Sequence, residues 1–570
     1  MNQTRTFLLF AWLVVATLLF MAWSREQVAP PPAPDTTAVA APAGDSTVPA
    51  LVPGAVPEAP TPTPTMAATP EGEEATAAAA GAPAVTVTTD VLRVALDGGA
   101  VRQADLLDYP QTTEAGSDPV RLFASDPAHF YQAQSGWVSS TGAAPNHEGA
   151  FVPVGGQRDY VMRDGQDTLV VPFEWTGPDG VTIRRSYTFS RGQYAVKVVD
   201  QVVNQGSQPW QGYIYRQLVR VPPVIETGFT KPESYSFHGA AWYSPADKFD
   251  KRKFEDFVDD GPLNKQVTGG WIAMLQHHFF TAWIPGAGDA GTFSLATTRG
   301  AGGNQQSLVR ELGPGVQVAP GTSTEVAARL WVGPKLVGQI ESQQVPGLER
   351  AVDFSSYSIM AWIAGLLFAV LSFLHGIFGN WGWAIVGLVV LIKLMMFPLS
   401  AAQYKSAAKM RKFQPRIEQL KERYGDDKQK FQMALMELYK KEKINPVGGC
   451  LPVLVQMPVF LALYWTLLES VELRQAPWIG WIHNLTAPDP YFILPAINIV
   501  VMFATQKLTP TPIADPMQRK MMQYMPVAMG VMFAFFPAGL VLYWVTNGSL
   551  GLLQQWWMLQ KYGDKAPKKA

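Results

Sequence analysis

Cysteine is almost absent from this chain, and its absence excludes several kinds of site. Cys450 is the only cysteine among 570 residues, so no disulfide can form within one chain. It stands at the start of an apolar segment, where a lone thiol is typical of a small buried side chain. The sequence also lacks the His and Cys spacings of metal sites and a phosphate loop of the form GxxxxGKS or GxxxxGKT. We therefore expect no metal, no cofactor and no nucleotide hydrolysis.

Charge is sparse, at 16% of residues, and it is unevenly placed. Residues 24–356 carry 23 Lys and Arg against 35 Asp and Glu, whereas residues 400–446 carry 12 against 6. The end of the chain, residues 560–570, is basic as well. Basic segments beside membrane spans tend to stay in the cytoplasm. The asymmetry predicts that residues 24–356 lie outside the membrane and that both chain ends lie inside.

The N-terminal apolar run behind Arg5 predicts a membrane anchor within residues 1–24, with a removed signal peptide as the alternative. Residues 25–83 are rich in Pro, Ala and Thr and have little to bury, which predicts a disordered linker.

Short β-rich runs fill residues 84–345 and predict a large β-sandwich. The clearest is a hairpin, in which residues 169–176 and 181–189 flank Gly-Pro-Asp-Gly. The histidines of this region are scattered, at positions 129, 147, 238, 277 and 278. His277 and His278 are adjacent in a strand-like run, so we expect them to point to opposite faces. No catalytic site is predicted here.

The segment 381–400, WGWAIVGLVVLIKLMMFPLS, is apolar except for Lys393. Twenty helical residues can span a bilayer. A lysine at membrane depth costs about 2.5–3.5 kcal/mol on insertion scales, so it indicates a functional site by default. Snorkelling to the interface is the alternative, but Lys393 is seven residues, about 10 Å, from the end of the segment.

A second apolar run, residues 357–378, precedes this segment. If both runs crossed, the basic region after Ser400 would lie outside the membrane, against the charge rule. We therefore predict that residues 357–378 form a periplasmic interfacial helix. The predicted order after it is a span at 381–400, a cytoplasmic coiled-coil hairpin at 401–446, spans at 449–471, 491–508, 520–536 and 540–559, and a basic tail at 560–570.

The hairpin is predicted from an apolar seam that steps by three and four residues. Its members are Met410, Phe413, Ile417, Leu420 and Tyr424, and Gly425-Asp426-Asp427 then breaks the helix and offers an aspartate cap. A solvated coiled coil explains the seam; the exposed basic residues could also meet lipid headgroups, a ribosome or a nascent chain.

Several long segments, in this order, resemble the YidC membrane-protein insertases. They are KLMMFPLSAAQYKSAAKMRKFQPRI, GDDKQK, INPVGGCLPVLVQMPVFLALYW, SVELRQAPW, DPMQRKMMQYMP and FPAGLVLYWVTN. The resemblance covers about residues 357–560, and the anchor, linker and sandwich match the domain order of the Gram-negative members. It implies a multi-pass protein of the bacterial inner membrane, with a five-helix α-helical bundle, a periplasmic β-sandwich and a cytoplasmic hairpin.

The resemblance also implies a hydrophilic groove in the inner leaflet, in which Lys393 occupies a position that is usually arginine. Tyr543 and Trp544 fall in the family's client-contacting region, although packing also explains them. Gln456, Gln523 and Asn547 would either line the groove or bond a neighbouring helix. The implied function is insertion and folding of nascent membrane proteins, alone or with the Sec translocon. Ribosomes are the expected further partner, through the hairpin and the tail, with no specific nucleic-acid sequence.

Two other functions are compatible with the sequence taken without the resemblance. A solute transporter or channel would use Lys393 as an anion site, but such proteins often show paired repeats, and none is visible here. A membrane-anchored periplasmic carbohydrate-active protein would place its site in the sandwich, and a β-sandwich alone does not establish a site.

Overall fold

A computed structural model describes residues 84–225, 233, 236–300, 302–352, 354, 358–401, 414–425, 427–441, 451–508 and 516–562. The predicted anchor, the linker and most of the basic tail lie outside these residues. The chain divides into two compact units. One contains Lys409–Asn445, and the other contains Ala77–Ala408 and Pro446–Ala570.

Nineteen strands are described in the second unit, and together they form what we call the β-domain. They are β1 Val85–Thr88, β2 Leu92–Leu96, β3 Ala100–Pro110, β4 Pro119–Phe123, β5 Tyr131–Ser139, β6 Val152–Pro153, β7 Asp159–Val161, β8 Thr168–Thr176, β9 Val181–Ser190, β10 Ala195–Asn204, β11 Trp210–Arg220, β12 Gly239–Ser244, β13 Lys248–Lys253, β14 Leu263–Thr268, β15 Trp271–Leu275, β16 Phe279–Pro285, β17 Ala290–Arg299, β18 Gln305–Val318 and β19 Ser323–Pro334.

The strands make two sheets. One has the order β14-β17-β18-β11-β5-β3-β2-β1-β7, with β4 beside β3, and the other has the order β13-β12-β15-β16-β19-β10-β9-β8-β6. Neighbours pair antiparallel except β1 and β7. The predicted hairpin is confirmed as β8 and β9, and Gly180 closes its turn with a φ of 76° that favours glycine. The predicted β-rich domain is therefore confirmed.

The centre of the β-domain contains a buried ion pair between the two sheets. Arg185 on β9 donates to Asp200 on β10, at 2.6 Å from Nη2 to Oδ2. Trp137 on β5, in the other sheet, donates its Nε1 to the same oxygen at 2.7 Å. A buried charge is tolerated where it is paired and its remaining polar atoms are bonded. These bonds fix how the two sheets face each other.

Ten α-helices are described. Two short ones belong to the β-domain, α1 Asp256–Asp259 and α2 Val337–Ser342, and the others are α3 Ser358–Phe378, α4 Trp381–Met395, α5 Gln414–Tyr424, α6 Lys428–Lys441, α7 Leu451–Glu469, α8 Ile493–Leu508, α9 Pro516–Phe533 and α10 Ala538–Tyr562. We call α3, α4 and α7–α10 the bundle, and residues 470–492 the α7–α8 loop. Each predicted helical segment of the bundle has a helix within it or close to its bounds.

The bundle packs around apolar side chains from α3, α4, α7 and α10, among them Leu371, Leu388, Leu463 and Leu542. The start of α4 is fixed to the α7–α8 loop. Asn380 accepts a hydrogen bond from the Trp383 amide and donates to the carbonyls of Pro477 and Trp478. Gly382 allows this approach, since a Cβ there would overlap the Trp478 ring.

Among the described residues, one stretch is long and apolar enough to cross a membrane by those criteria alone, namely Ile359–Phe378 within α3. Helices α4 and α8 are shorter apolar helices. The interfacial position that we predict for α3 and the count of five spans stay predictions.

In the other unit, α5 and α6 form a helical hairpin. Asp427 caps α6 as the sequence predicts, because its Oδ1 accepts hydrogen bonds from the amides of Gln429 and Lys430. Ile417, Leu420 and Tyr424 lie on α5, whereas Met410 and Phe413 lie outside the described residues.

Candidate functional site

Lys393 lies in the last turn of α4, on the edge of the buried face that Ile385, Leu388 and Ile392 form. It is partly buried and lines a cavity of about 260 Å³ between α4 and α10. The lining residues are Val390, Lys393, Leu394, Phe397, Leu550, Gln554 and Trp557. The Lys393 side chain therefore lies among mainly apolar side chains.

No carboxylate in the described part of the chain lies within 4 Å of the Lys393 Nζ. The ammonium lies close to the α10 backbone, 3.4 Å from the point where a Cβ on Gly551 would stand. A side chain at position 551 would occupy space beside the charge. Gln554 contributes a buried Nε2 with no hydrogen-bond partner among the described residues. Among the described residues, the cavity thus holds a cation that has no carboxylate partner and an amide donor that makes no hydrogen bond.

A second polar group lies where α7 meets α10. Gln456 on α7 donates its Nε2 to the Tyr543 hydroxyl at 3.2 Å and to the Asn547 side-chain oxygen at 3.1 Å. Tyr543 is buried, and the other two side chains are partly buried. The three predicted residues are therefore brought together as one hydrogen-bonded network.

The network and the lysine cavity share one face of α10. Tyr543, Asn547, Gly551 and Gln554 are separated by four, four and three residues, which keeps them on one side of a helix. Four residues advance a helix by about 6 Å. Tyr543, Asn547 and Gln554 therefore present polar groups along this face, and Gly551 lies between them beside Lys393.

Two predicted residues lie apart from this face. Trp544 packs among aromatic rings, 4.9 Å from the Phe460 centroid and 5.5 Å from that of Phe533. Its Nε1 is buried without a partner among the described residues. Gln523 is exposed on α9 and joins neither group. The structure gives it no polar neighbour from the candidate site.

Curated proteins similar to this chain match it along its whole length. The membrane protein insertase YidC of Stenotrophomonas maltophilia strain R551-3 is 59% identical over 567 residues, which cover 99% of this chain and 98% of the relative. The protein of the same name from Xanthomonas euvesicatoria pv. vesicatoria strain 85-10 is 56% identical over 575 residues, covering 100% and 99%. The chain belongs to the YidC family.

Two family models cover the YidC-family chain, and the boundary between them falls inside α3. The YidC periplasmic domain matches residues 84–370, and the 60Kd inner membrane protein family matches residues 373–565. A crystal structure of active YidC insertase with its first transmembrane domain resolved is 18% identical and covers 83% of this chain and 94% of its own, at a TM-score of 0.35. That score adds nothing to the assignment.

YidC is a family of insertases and not of enzymes, which agrees with the absence of a predicted catalytic site. Membership therefore sets aside the transporter and the carbohydrate-active protein. Within the described residues, no group of three or more His, Cys, Asp and Glu is placed to hold a metal ion.

Sequence reasoning missed Gln554 and Trp557. The signal was the spacing of Gln554 from Asn547, which continues the polar face of α10 by two turns. It was overlooked because the family segment that points to α10 ends at Asn547.

The expectation for His277 and His278 is wrong. Their rings stack, with centroids 3.7 Å apart, and both line one cavity. They lie in the turn that joins β15 to β16, where the alternation of an extended strand does not apply.

Proposed function

We propose that this protein inserts nascent inner-membrane proteins, and assists their folding, through a groove formed by α4, α7 and α10. Lys393 supplies the buried cation of the groove, and the polar face of α10 supplies its hydrogen-bonding wall. The observation that carries the proposal is the Lys393 cavity, where an ammonium is kept at the expected depth of a span without a carboxylate partner among the described residues. Membership in the YidC family supports the same function.

The groove addresses the main barrier to insertion. A client helix is apolar enough for the bilayer, but the polar segment beside it must cross the hydrocarbon. A polar groove that reaches part of the way shortens the apolar path. Lys393 then attracts acidic residues of the segment while they are out of water. The membrane potential adds about 2.3 kcal/mol per charge per 100 mV for a full crossing, so acidic segments are assisted outward.

A lysine limits what kind of contact the groove makes. Its ammonium is a compact charge on a flexible stem, whereas arginine presents a planar fork of donors. The contact with a client is therefore electrostatic attraction and not a two-pronged grip on one carboxylate. This fits transient contact with clients of different sequence.

Substitution of Lys393 tests the proposal. The full chain is reconstituted in liposomes, and insertion of a single-span client with an acidic translocated segment is measured by protease protection. We expect Lys393→Ala and Lys393→Glu to lower insertion about tenfold or more, equivalent to roughly 1.4 kcal/mol of lost attraction, and Lys393→Arg to retain it. Lys507→Ala is the matched control, since Lys507 is an exposed lysine near the end of α8. Full insertion by Lys393→Ala would contradict an essential groove charge.

The α5–α6 hairpin is proposed to meet the ribosome, with the basic tail. Lys440 and Lys441 are exposed at the end of α6. We expect their joint change to Glu to reduce co-sedimentation with translating ribosomes, because it reverses two charges that would face RNA phosphates. Lys430→Gln is the control, since Lys430 is engaged with Asp427 at 3.1 Å. Unchanged co-sedimentation would remove the hairpin from the proposal.

The proposed topology places the β-domain in the periplasm and both termini in the cytoplasm, with α4 and α7–α10 as spans. It leaves the α7–α8 loop on the outer side. Cooperation with the Sec translocon is part of the proposal for clients with large translocated domains. Crosslinking from α10 to a nascent client, with and without the translocon, tests it.

A further inference from the structure

A cavity of about 540 Å³ lies where the β-domain meets the end of α7 and the α7–α8 loop. We call it the junction cavity. Leu468, in the last turn of α7, and loop residues form one wall, and the turn between β15 and β16 forms another. Its size is typical of a site for a small molecule. In the proposed topology, on which this inference rests, the outer ends of α7 and α8 place it at the depth of outer-leaflet headgroups.

One wall of the junction cavity carries a cation. Arg474 has no carboxylate within 4 Å in the described part of the chain. It is held in place because its Nη2 donates to the Pro110 carbonyl at 2.8 Å and its Cζ lies 5.6 Å from the centroid of the Phe279 ring. The guanidinium keeps further donors in a planar fork that suits a phosphate group.

Asn484 adds a donor beside the arginine. Its side-chain oxygen accepts hydrogen bonds from the Gln475 amide and from both the amide and the hydroxyl of Thr486. These three bonds fix the orientation of the side chain. The Nδ2 group of Asn484 is then the part of the amide left to serve a ligand.

The same cavity also carries acceptors. His277 donates its Nε2 to the Leu468 carbonyl at 2.9 Å, so its Nδ1 is an acceptor when the ring is neutral. His278 is 7% exposed, and its Nδ1 is buried without a partner among the described residues. Burial lowers the pKa of His277 to about 3 and that of His278 well below its usual value, so both rings are neutral at pH 7. Glu233, at the cavity wall, adds an exposed carboxylate.

A site for a simple anion would not combine neutral acceptors and a carboxylate with the one arginine among its lining residues. We propose that the junction cavity binds the zwitterionic headgroup of an outer-leaflet phospholipid, with the phosphate on Arg474 and the primary ammonium against His278 and Glu233. The ligand class is therefore a phosphoethanolamine lipid. Headgroup recognition of this kind ties the β-domain and the bundle to the membrane surface.

Lipid exchange on the full-length protein tests this proposal without any client. The protein in detergent is given phosphatidylethanolamine, phosphatidylcholine or phosphatidylglycerol at equal concentrations, and bound lipid is counted by native mass spectrometry. We expect phosphatidylethanolamine to bind best. Phosphatidylcholine has the charge but no N–H donor for His278, and phosphatidylglycerol has no cation for Glu233.

Arg474→Gln should lower retention of phosphatidylethanolamine about tenfold or more, the size expected for a charge-assisted bond. Arg350→Gln is the matched control, because Arg350 is also partly exposed and lies 5.6 Å from the centroid of the Phe249 ring. It should retain lipid as the parent protein does. Glu233→Gln, at an exposed position, should remove the preference over phosphatidylglycerol, and it carries the test if Arg474→Gln fails to fold.

Equal retention of the three lipids, or unchanged retention by both Arg474→Gln and Glu233→Gln, would overturn the proposal. Displacement by inorganic phosphate at the same concentration would overturn the lipid assignment, because a free anion would then suffice. Insertion is measured in parallel with Lys393→Ala. Since this variant keeps the junction cavity intact, it should bind lipid even where insertion is lost, so the two proposals fail separately.

Discussion

Lys335 and Lys393 both lie away from bulk water, but they differ in whether a carboxylate lies beside the ammonium. Lys335, at the edge of the β-domain, is 1% exposed and lies 3.9 Å from the Glu469 carboxylate at the end of α7. Lys393, in the bundle, has no carboxylate partner among the described residues and lines a cavity. A paired charge is part of the packing, whereas a charge without a partner is available to a ligand that binds transiently. The comparison separates a charge that belongs to the packing of the junction from a charge that lines the proposed groove.

The largest expected effect on stability follows from substitution of Lys335. Lys335→Met removes the ammonium beside the buried Glu469 carboxylate, whose Oε1 also accepts a hydrogen bond from the Ser236 hydroxyl at 2.9 Å. Removing one partner of a buried pair costs about 3–5 kcal/mol, so we expect a marked fall in thermal stability in detergent. Adding Glu469→Gln should recover most of the loss. An unchanged melting temperature for Lys335→Met alone would show that the junction does not depend on this pair.

The next largest effect is a pH dependence of stability that arises from Glu472, in the α7–α8 loop. Its Oε1 accepts a hydrogen bond from the Val337 amide, and its Oε2 is buried with no partner in the described part of the chain. Burial raises its pKa to about 7. Between its usual pKa of about 4.5 and 7 the folded state holds a proton that the unfolded state has lost. Stability therefore falls as the pH rises through this window.

Glu472→Gln should remove this fall, which is at most about 3 kcal/mol for the shift given. The test is to measure the melting temperatures of the parent protein and of the variant from pH 4.5 to 8. Parallel pH profiles for the two proteins would contradict it.

A smaller effect is expected in the groove wall. Tyr543→Phe removes the hydroxyl that accepts from Gln456, whose bond to Asn547 remains. The loss of one hydrogen bond is worth about 0.5–1.5 kcal/mol. Thermal unfolding should register this loss, and Lys393→Arg offers a control that leaves the network intact. A loss above about 3 kcal/mol would mean that the network stabilises the bundle as Lys335 stabilises the junction.

The smallest change in stability is expected for Lys393→Met. No ion pair is broken among the described residues, and the cost of holding an ammonium among apolar side chains is relieved. The melting temperature should stay the same or rise, while insertion falls. A strong loss of stability would place Lys393 in the same structural role as Lys335 and end the contrast.

Local patterns in the sequence predict much of this fold. The hairpin of β8 and β9 followed from its turn residues, the cap of α6 followed from an aspartate, and the helices of the bundle followed from apolar runs. Lys393 stood out because a charge in such a run is costly. Each of these features depends on residues that are near one another in the chain.

The junction could not be predicted in this way. The contact of His277 with the Leu468 carbonyl joins residues 191 positions apart, and no pattern in either segment indicates the other. The two histidines were misplaced for a related reason, since alternation was applied to residues that lie in a turn. Gln554 was missed although its spacing from Asn547 was visible, because it lies beyond the segment that carries the family resemblance.

The hydrogen bonds of the α7–α8 loop have a consequence for how the bundle moves. Asn380 fixes the start of α4 to this loop, and the amides of Ala538 and Gly539, at the start of α10, donate to the carbonyls of Ala487 and Leu485. Both α4 and α10 are thus held by hydrogen bonds to the α7–α8 loop at their N-terminal ends. In the proposed orientation they can part only toward the cytoplasm. Under the proposed function, a client would enter between α4 and α10 while the hydrogen-bonded outer edge stays closed.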